Sequence, residues 1–202
     1  ETSDRIYELI DHQRAAQLYL WALPIVANER MAQNFFGNFD YNYGDFVRIE
    51  SFNERRGYLT ANETTNYAMG MFNTKGAPTV LEVPPGVVIG MLIDMWQESP
   101  TDIGIFGPFE GRGGKHIIVG PNTPKHMIPD MRDLTDDYQI HHVETDRGSV
   151  LARVAGADVE KVQKTWNQIQ MYQYGDEPAT KVHSSEDKYL PTMQPRGMPY
   201  WE

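Results

Sequence analysis

The chain has 202 residues, 28 acidic against 18 basic, a formal net charge of −10 and no cysteine. Such a surface repels phosphate backbones and anionic headgroups, which argues against nucleic acid or an anionic membrane as a partner. The lack of cysteine excludes thiol catalysis, cysteine-ligated zinc and disulfides, and no run approaches the ~20 apolar residues that span a bilayer, so no membrane insertion is expected.

Residues 2 to 34 read as helix. Thr2 or Ser3 can cap it, and Asp4 and Glu8 suit the positive end of the helix dipole. Ile6, Ile10, Leu18, Leu20 and Trp21 follow a helical period imperfectly. Pro24 lacks an amide donor, which predicts two helices or one kinked helix, the second piece covering Ile25–Phe36 and ending near Gly37. Residues 37–56 interleave Phe39, Tyr41, Tyr43, Phe46 and Phe52 with Asn, Asp and Gly. They read as a surface-crossing loop pinned by its rings, with a sugar-stacking rim as the functional alternative.

Residues 58–71 and 79–121 hold a strand-rich core. Apolar β-formers fill Val80–Val83, Val87–Asp94, Ile103–Phe106 and His116–Val119. Pro84-Pro85-Gly86, Ser99-Pro100, Gly107-Pro108 and Gly111-Arg112-Gly113-Gly114 break them. Short apolar runs punctuated by Gly and Pro predict antiparallel strands joined by tight turns. Asp130–Asp137 reads as a polar turn or a helix start. Tyr138–Thr145 and Ser149–Val154 predict a hairpin around Asp146-Arg147-Gly148, with Gly148 supplying the positive φ. Gly156-Ala157-Asp158 caps a helix from Val159 to about Asn167, and Ile169–Tyr174 forms a last strand. After Gly175 the chain is polar, Pro-rich and without period, and it reads as an extended tail ending in Pro199-Tyr200-Trp201-Glu202. The predicted fold class is α+β, mainly β: an antiparallel, jelly-roll-like β-sandwich with N-terminal helices and one later helix. Residues 1–36 form the helices, 37–174 the sandwich, and 175–202 a tail or linker toward a second domain.

Asp94, Glu98 and Asp102 are the candidate catalytic residues, because paired carboxylates supply acid and base in glycoside hydrolysis. Turn-capping is the structural alternative: Asp94 ends an apolar run, and Asp102 follows Pro100-Thr101, where Asx turns are common. Trp96 lines a pocket or fills the core. The stretch from Gly111 to His116 fails as a phosphate loop, since Phe109 stands where a glycine is needed and His116 where Ser or Thr must follow the lysine. It reads as a glycine hairpin presenting Arg112 and Lys115 to an anionic substrate. The six histidines show no compact metal spacing, and His141 and His142, adjacent on a strand, point to opposite faces. No metal site and no cofactor is expected, and the nucleophile elbow of serine hydrolases is missing.

The segments Asn62-Glu63-Thr64-Thr65-Asn66-Tyr67, Gly76–Pro84, Asp94-Met95-Trp96, Thr101–Gly104, Gly107-Pro108, Gly113-Gly114-Lys115 and Val119-Gly120-Pro121 follow in order. This set resembles the bacterial domain-of-unknown-function family 1254 over roughly Leu18 to Tyr174. The resemblance implies two packed β-sandwich units, export from the cytoplasm, and a second β-rich domain, of unknown-function family 1214, after the first. The family's Asn-x-Asp-Thr-x-Tyr segment matches at Asn62, Thr65 and Tyr67, with Thr64 in the Asp place. These three join Trp96, Arg112 and Lys115 as candidate substrate-binding residues. A chain beginning at Glu1 is what removal of a signal peptide would leave, and cysteine avoidance fits a periplasmic or secreted protein. The expectation is an extracytoplasmic β-sandwich protein, the binding or assembly half of a two-domain unit. Its partners are then a 1214-type domain or fragment, a second copy in a homo-oligomer, and a carbohydrate or small polar ligand. The alternative is a hydrolase acting on a sugar-like or other polar substrate. A carrier with an apolar pocket between its sheets is a third reading.

Overall fold

The computed structural model describes residues 2–49 and 65–185. It opens with one continuous helix, α1 (Thr2–Asn38), which runs through Pro24. Its 37 residues span about 55 Å. Proline deprives the Leu20 carbonyl of its amide partner, but hydrogen bonds to another part of the chain hold the helix around this point. The Pro24 carbonyl accepts from Gln97 Nε2 at 3.3 Å, and Asn28 Nδ2 donates to the Asp94 and Met95 carbonyls at 3.1 and 3.3 Å. Beyond that anchor Ala32 and Phe35 are buried, whereas Ile6, Tyr7, Leu9, Leu18 and Leu20 on the first half remain exposed.

In chain order the strands are β1 (Phe46–Ile49), β2 (Tyr67–Asn73), β3 (Thr79–Val83), β4 (Val88–Asp94), β5 (Thr101–Gly104), β6 (Gly114–Val119), β7 (Tyr138–His142), β8 (Arg147–Val154), β9 (Gln170–Gln173) and β10 (Val182–Ser184). A second helix, α2 (Val159–Gln168), precedes β9, and the Asp158 side chain caps it by accepting from the Lys161 amide at 3.1 Å. The strands form a six-stranded sheet in the order β10-β1-β2-β8-β4-β5 and a four-stranded sheet in the order β7-β6-β3-β9.

The two sheets stack as a sandwich. Phe72, Val88, Leu92, Val150 and Ala152 of the larger sheet meet Leu81, Val83, Ile118 and Met171 of the smaller, and Trp166 of α2 joins them. On the opposite face of the larger sheet, Ala32 and Phe35 of α1 pack on Val47, Ile49, Tyr67, Met69 and Met71. Strand β2 is therefore covered on both sides, which is why it reads as one apolar run rather than an alternation. The segment between β6 and β7 folds over the outer face of the smaller sheet, where Ile128 and Leu134 pack on Val80, Ile117 and Val119.

The architecture is mixed rather than mainly β, because α1 is so long. The sheets, of six and four strands among the described residues, are sandwich-like and form no closed barrel. Two strand pairs, β6 with β7 and β1 with β10, are parallel, not antiparallel as expected.

Four local expectations are corrected. The aromatic loop contains a strand, β1, whose Phe46 faces the inter-sheet core while Val47 and Ile49 face α1; four residues between Asn, Asp and Gly gave too short a pattern to see. Its described residues before β1 behave as ring-pinned backbone: the Tyr41 hydroxyl donates to the Asp45 carbonyl at 2.7 Å and accepts from the Met71 amide at 2.6 Å, and residues 50–56, with Phe52, lie outside the described residues. Burial pushes that phenol well above its ordinary value. Second, β7 and β8 do not form a hairpin, because they belong to different sheets. The Asp146 corner between them instead ties other loops, its carboxylate accepting from the Asn122 amide and Nδ2 at 2.9 and 2.8 Å and its carbonyl from the Thr74 amide at 2.7 Å. Third, Gly148 is not at positive φ. It lies opposite Phe72 in the ladder, and a Cβ there would come within 2.3 Å of the Phe72 ring. Fourth, the expected extended tail returns to the body as β10. Buried Asp45 holds it, accepting from the Lys181 amide at 2.9 Å and lying 3.2 Å from His183 Nε2. Residues 186–202, with Trp201, lie outside the described residues.

Candidate functional site

The three candidate catalytic carboxylates are not brought together. Asp94 is buried at the end of β4, and its Oδ1 accepts from the Glu98 amide at 3.0 Å, closing the turn into β5. Asp102 pairs with Met91, whose side chain lies on the opposite face of β4 from Leu92 and Asp94. Asp94 and Asp102 therefore sit on opposite faces of one sheet. Glu98 is exposed on the turn between them. The capping role has a measurable consequence. Asp94→Ala removes the acceptor of the Glu98 amide and is expected to lower the unfolding free energy by about 2 kcal/mol. A urea titration with an unchanged midpoint would contradict that role.

The candidate binding residues divide among several places. Tyr67 is core, packed between α1 and the larger sheet, with Arg153 over its ring at 5.8 Å. Thr65 is half-buried just before β2, and Asn62 lies outside the described residues. Trp96 and Glu98 line a cleft of about 550 Å³ with Trp21 and Glu144. Arg112 and Lys115 line another, of about 440 Å³, with Glu82, Pro84, Pro85, Asp137 and Gln168.

The second cleft is the better-built of the two, and local sequence explains its walls. The stretch carrying Arg112 is not a hairpin turn, since β5 lies in the larger sheet and β6 in the smaller. It is a crossing loop that stacks on the Pro84-Pro85-Gly86 turn, with the Gly86 amide donating to the Gly111 carbonyl at 3.0 Å. Gly113 has φ +84°, and a Cβ there would meet the Pro85 nitrogen at 2.8 Å, so the two turns touch only because this position is glycine. Arg112 projects from that contact, exposed, and Lys115 follows on β6.

Lys115 is held by a network on the outer face of the smaller sheet. Its Nζ donates to the Tyr138 hydroxyl at 3.2 Å and lies 3.9 Å from Glu82 Oε2, which accepts from the Tyr172 hydroxyl at 3.2 Å. The hydrogen bond to Tyr138, with Glu82 beside it, pushes the Lys115 ammonium above its ordinary range, so it stays charged. Burial and the neighbouring Glu82 push the Tyr172 phenol up as well. Glu82, Tyr138 and Tyr172 were missed by sequence reasoning. Glu82 is a polar residue inside an apolar β-run, which is a usable signal, but the tyrosines come from strands 23 and 90 positions away from their partners. Cations, carboxylates and the Gln168 amide give this cleft a polar lining of both charge signs. Among the described residues no group of three or more His, Cys, Asp or Glu is arranged to hold a metal ion.

The model of a family described as a protein of unknown function (DUF1254) matches residues 44–173. The chain belongs to the DUF1254 family. No curated protein matches this DUF1254 chain. Among solved structures it is similar to the VPA0106 protein from Vibrio parahaemolyticus, at 13% identity and a TM-score of 0.56, over 82% of this chain and 40% of that one. It also matches an uncharacterized protein from Burkholderia cenocepacia at 11% identity and a TM-score of 0.39, over 81% of this chain and 44% of that one. The DUF1254 chain thus spans less than half the length of either. The Vibrio likeness supports the fold alone. The family match includes the whole Arg112–Lys115 cleft, whereas α1 and Trp21 precede it.

Proposed function

We propose that this chain is the binding and assembly half of a two-domain, extracytoplasmic protein, with a small polar ligand, carbohydrates included, held at the Arg112–Lys115 cleft. The observation that carries the reading is the first half of α1. Ile6, Leu9, Leu18 and Leu20 are each more than half exposed on a helix that no described element covers there. Burying such side chains contributes about 25 cal/mol per Å² of apolar surface, so these uncovered side chains favour a partner. The proposed occupant is a C-terminal domain of the 1214 type. No helix of the described residues is long and apolar enough to cross a membrane.

Light scattering tests the assembly. The chain alone is expected to self-associate through α1, and the chain extended by its C-terminal domain is expected to be a defined species in which Leu9→Glu plus Leu20→Glu loosens the two halves. A chain that is monomeric and compact, and an extended protein indifferent to those substitutions, would sink the proposal. For the cleft, native mass spectrometry of protein from its own host should show a retained polar small molecule. Arg112→Gln with Lys115→Gln is expected to reduce its occupancy about tenfold.

A further inference from the structure

The cleft beside the middle of α1 has a different chemistry from the Arg112–Lys115 site. Trp21 on α1 and Trp96 on the β4–β5 turn meet with ring centroids 4.9 Å apart and planes tilted by 55°. Glu98 and Glu144 complete the lining of the cleft, about 550 Å³ in volume. The tryptophan pair helps pin α1 to the turn, together with the Gln97 bond to Pro24. A pin of that kind does not need an open ring, yet Trp21 is 62% exposed. Neither glutamate side chain has a hydrogen-bond or ion-pair partner among the described residues.

We propose that this corner binds a small organic cation, of the quaternary ammonium class. Two indoles line the corner, one of them largely exposed, and the negative face of an indole π-system attracts alkylated ammonium groups. Two carboxylates on the rim add attraction of the same sign, and the net charge of −10 draws cations toward the molecule as a whole. The volume is far larger than a bare metal ion needs, and the aromatic walls supply no donor atoms for one. A methylated ammonium is weakly hydrated and carries apolar surface that indole faces match. Hydrolytic use of the same carboxylates is disfavoured, because Glu98 and Glu144 are both exposed and a general acid needs desolvation.

Choline chloride is the probe. At constant ionic strength, the N-methyl proton signal of choline should broaden saturably on titration with the chain. Its uncharged isostere, 3,3-dimethylbutan-1-ol, should not. Trp21→Ala is expected to weaken choline binding about fivefold or more, and Glu98→Gln with Glu144→Gln about fivefold. Glu98 and Glu144 are exposed, so their double variant should melt with the parent chain; Trp21 also pins α1, so its variant is scored only where thermal melting shows it folded, with Trp21→Phe, which keeps a ring, as the companion variant. Absence of saturable choline binding by the parent, equal binding of the neutral isostere, or well-folded variants that bind as the parent does would each overturn the proposal.

Discussion

Lowering the pH from 7 to 5 is expected to remove roughly 4 kcal/mol of folding stability, because of two histidines sealed between the sheets. His116 on β6 and His141 on β7 are both buried, with rings stacked 5.1 Å apart and His116 Nδ1 3.0 Å from His141 Nε2. The Phe109 ring closes edge-on against His116 at 5.1 Å, and among the described residues His116 Nε2 has no hydrogen-bond partner. Burial, reinforced by His141, holds His116 down to about 3; burial, reinforced by His142, holds His141 down to about 4, both from an ordinary 6.5. Above about pH 6.5 the folded and unfolded chains both keep these rings neutral, and stability does not depend on them. Below it the unfolded chain takes up protons that the folded chain refuses. Stability therefore falls as the pH drops from about 6.5 toward 4. At pH 5 each ring contributes a loss of roughly 2 kcal/mol. Urea titrations at pH 7 and 5 measure the difference, and uptake of about two protons on unfolding at pH 5 is the matching signature. Equal stability at the two pH values would remove the neutral buried pair.

Phe72→Ala is expected to cost about 3–5 kcal/mol. Phe72 is completely buried and lies at the centre of the inter-sheet cluster. Its ring fills the space left by Gly148 on the neighbouring strand, so truncation empties a volume that neither backbone can reoccupy. The melting temperature should fall by about 10 °C or more for a chain of this size. Phe106, 69% exposed on the crossing loop, is the control: Phe106→Ala should change stability by less than about 0.5 kcal/mol. A Phe72→Ala loss as small as that of the control would mean that the two sheets do not share this core.

Much of the fold was legible because it is local. The apolar runs of β3, β4 and β6 and the Gly and Pro breaks between them appear where expected, within one or two residues. Asp158 caps its helix, and His141 and His142 point apart, one buried and one exposed. The site was legible only in pieces. Arg112 and Lys115 do share a cleft, and Trp96 and Glu98 share another. Tyr138 and Tyr172 around Lys115, and Trp21 and Glu144 around Trp96, come from distant segments and carry no local mark; Glu82, polar inside an apolar run, is the exception. Asp94 looked catalytic because a carboxylate ending a buried strand serves a turn or a reaction equally well in sequence. The Glu98 amide 3.0 Å from its oxygen assigns it to the turn.

Composition and short-range pattern alone thus determined that this chain is cysteine-free, acidic and built of helix, β-runs and turns, since φ/ψ preferences and side-chain alternation act within a few residues. Only the tertiary structure decided that β7 joins β6 in parallel, that β8 crosses to the other sheet, and that β10 returns to β1. Closing a longer loop costs only slowly more, so segment spacing barely distinguishes one partner strand from another. The choice falls to burial and hydrogen bonding among residues a hundred positions apart. Asp45 gripping the Lys181 amide is one such contact, and no window along the chain contains both ends of it.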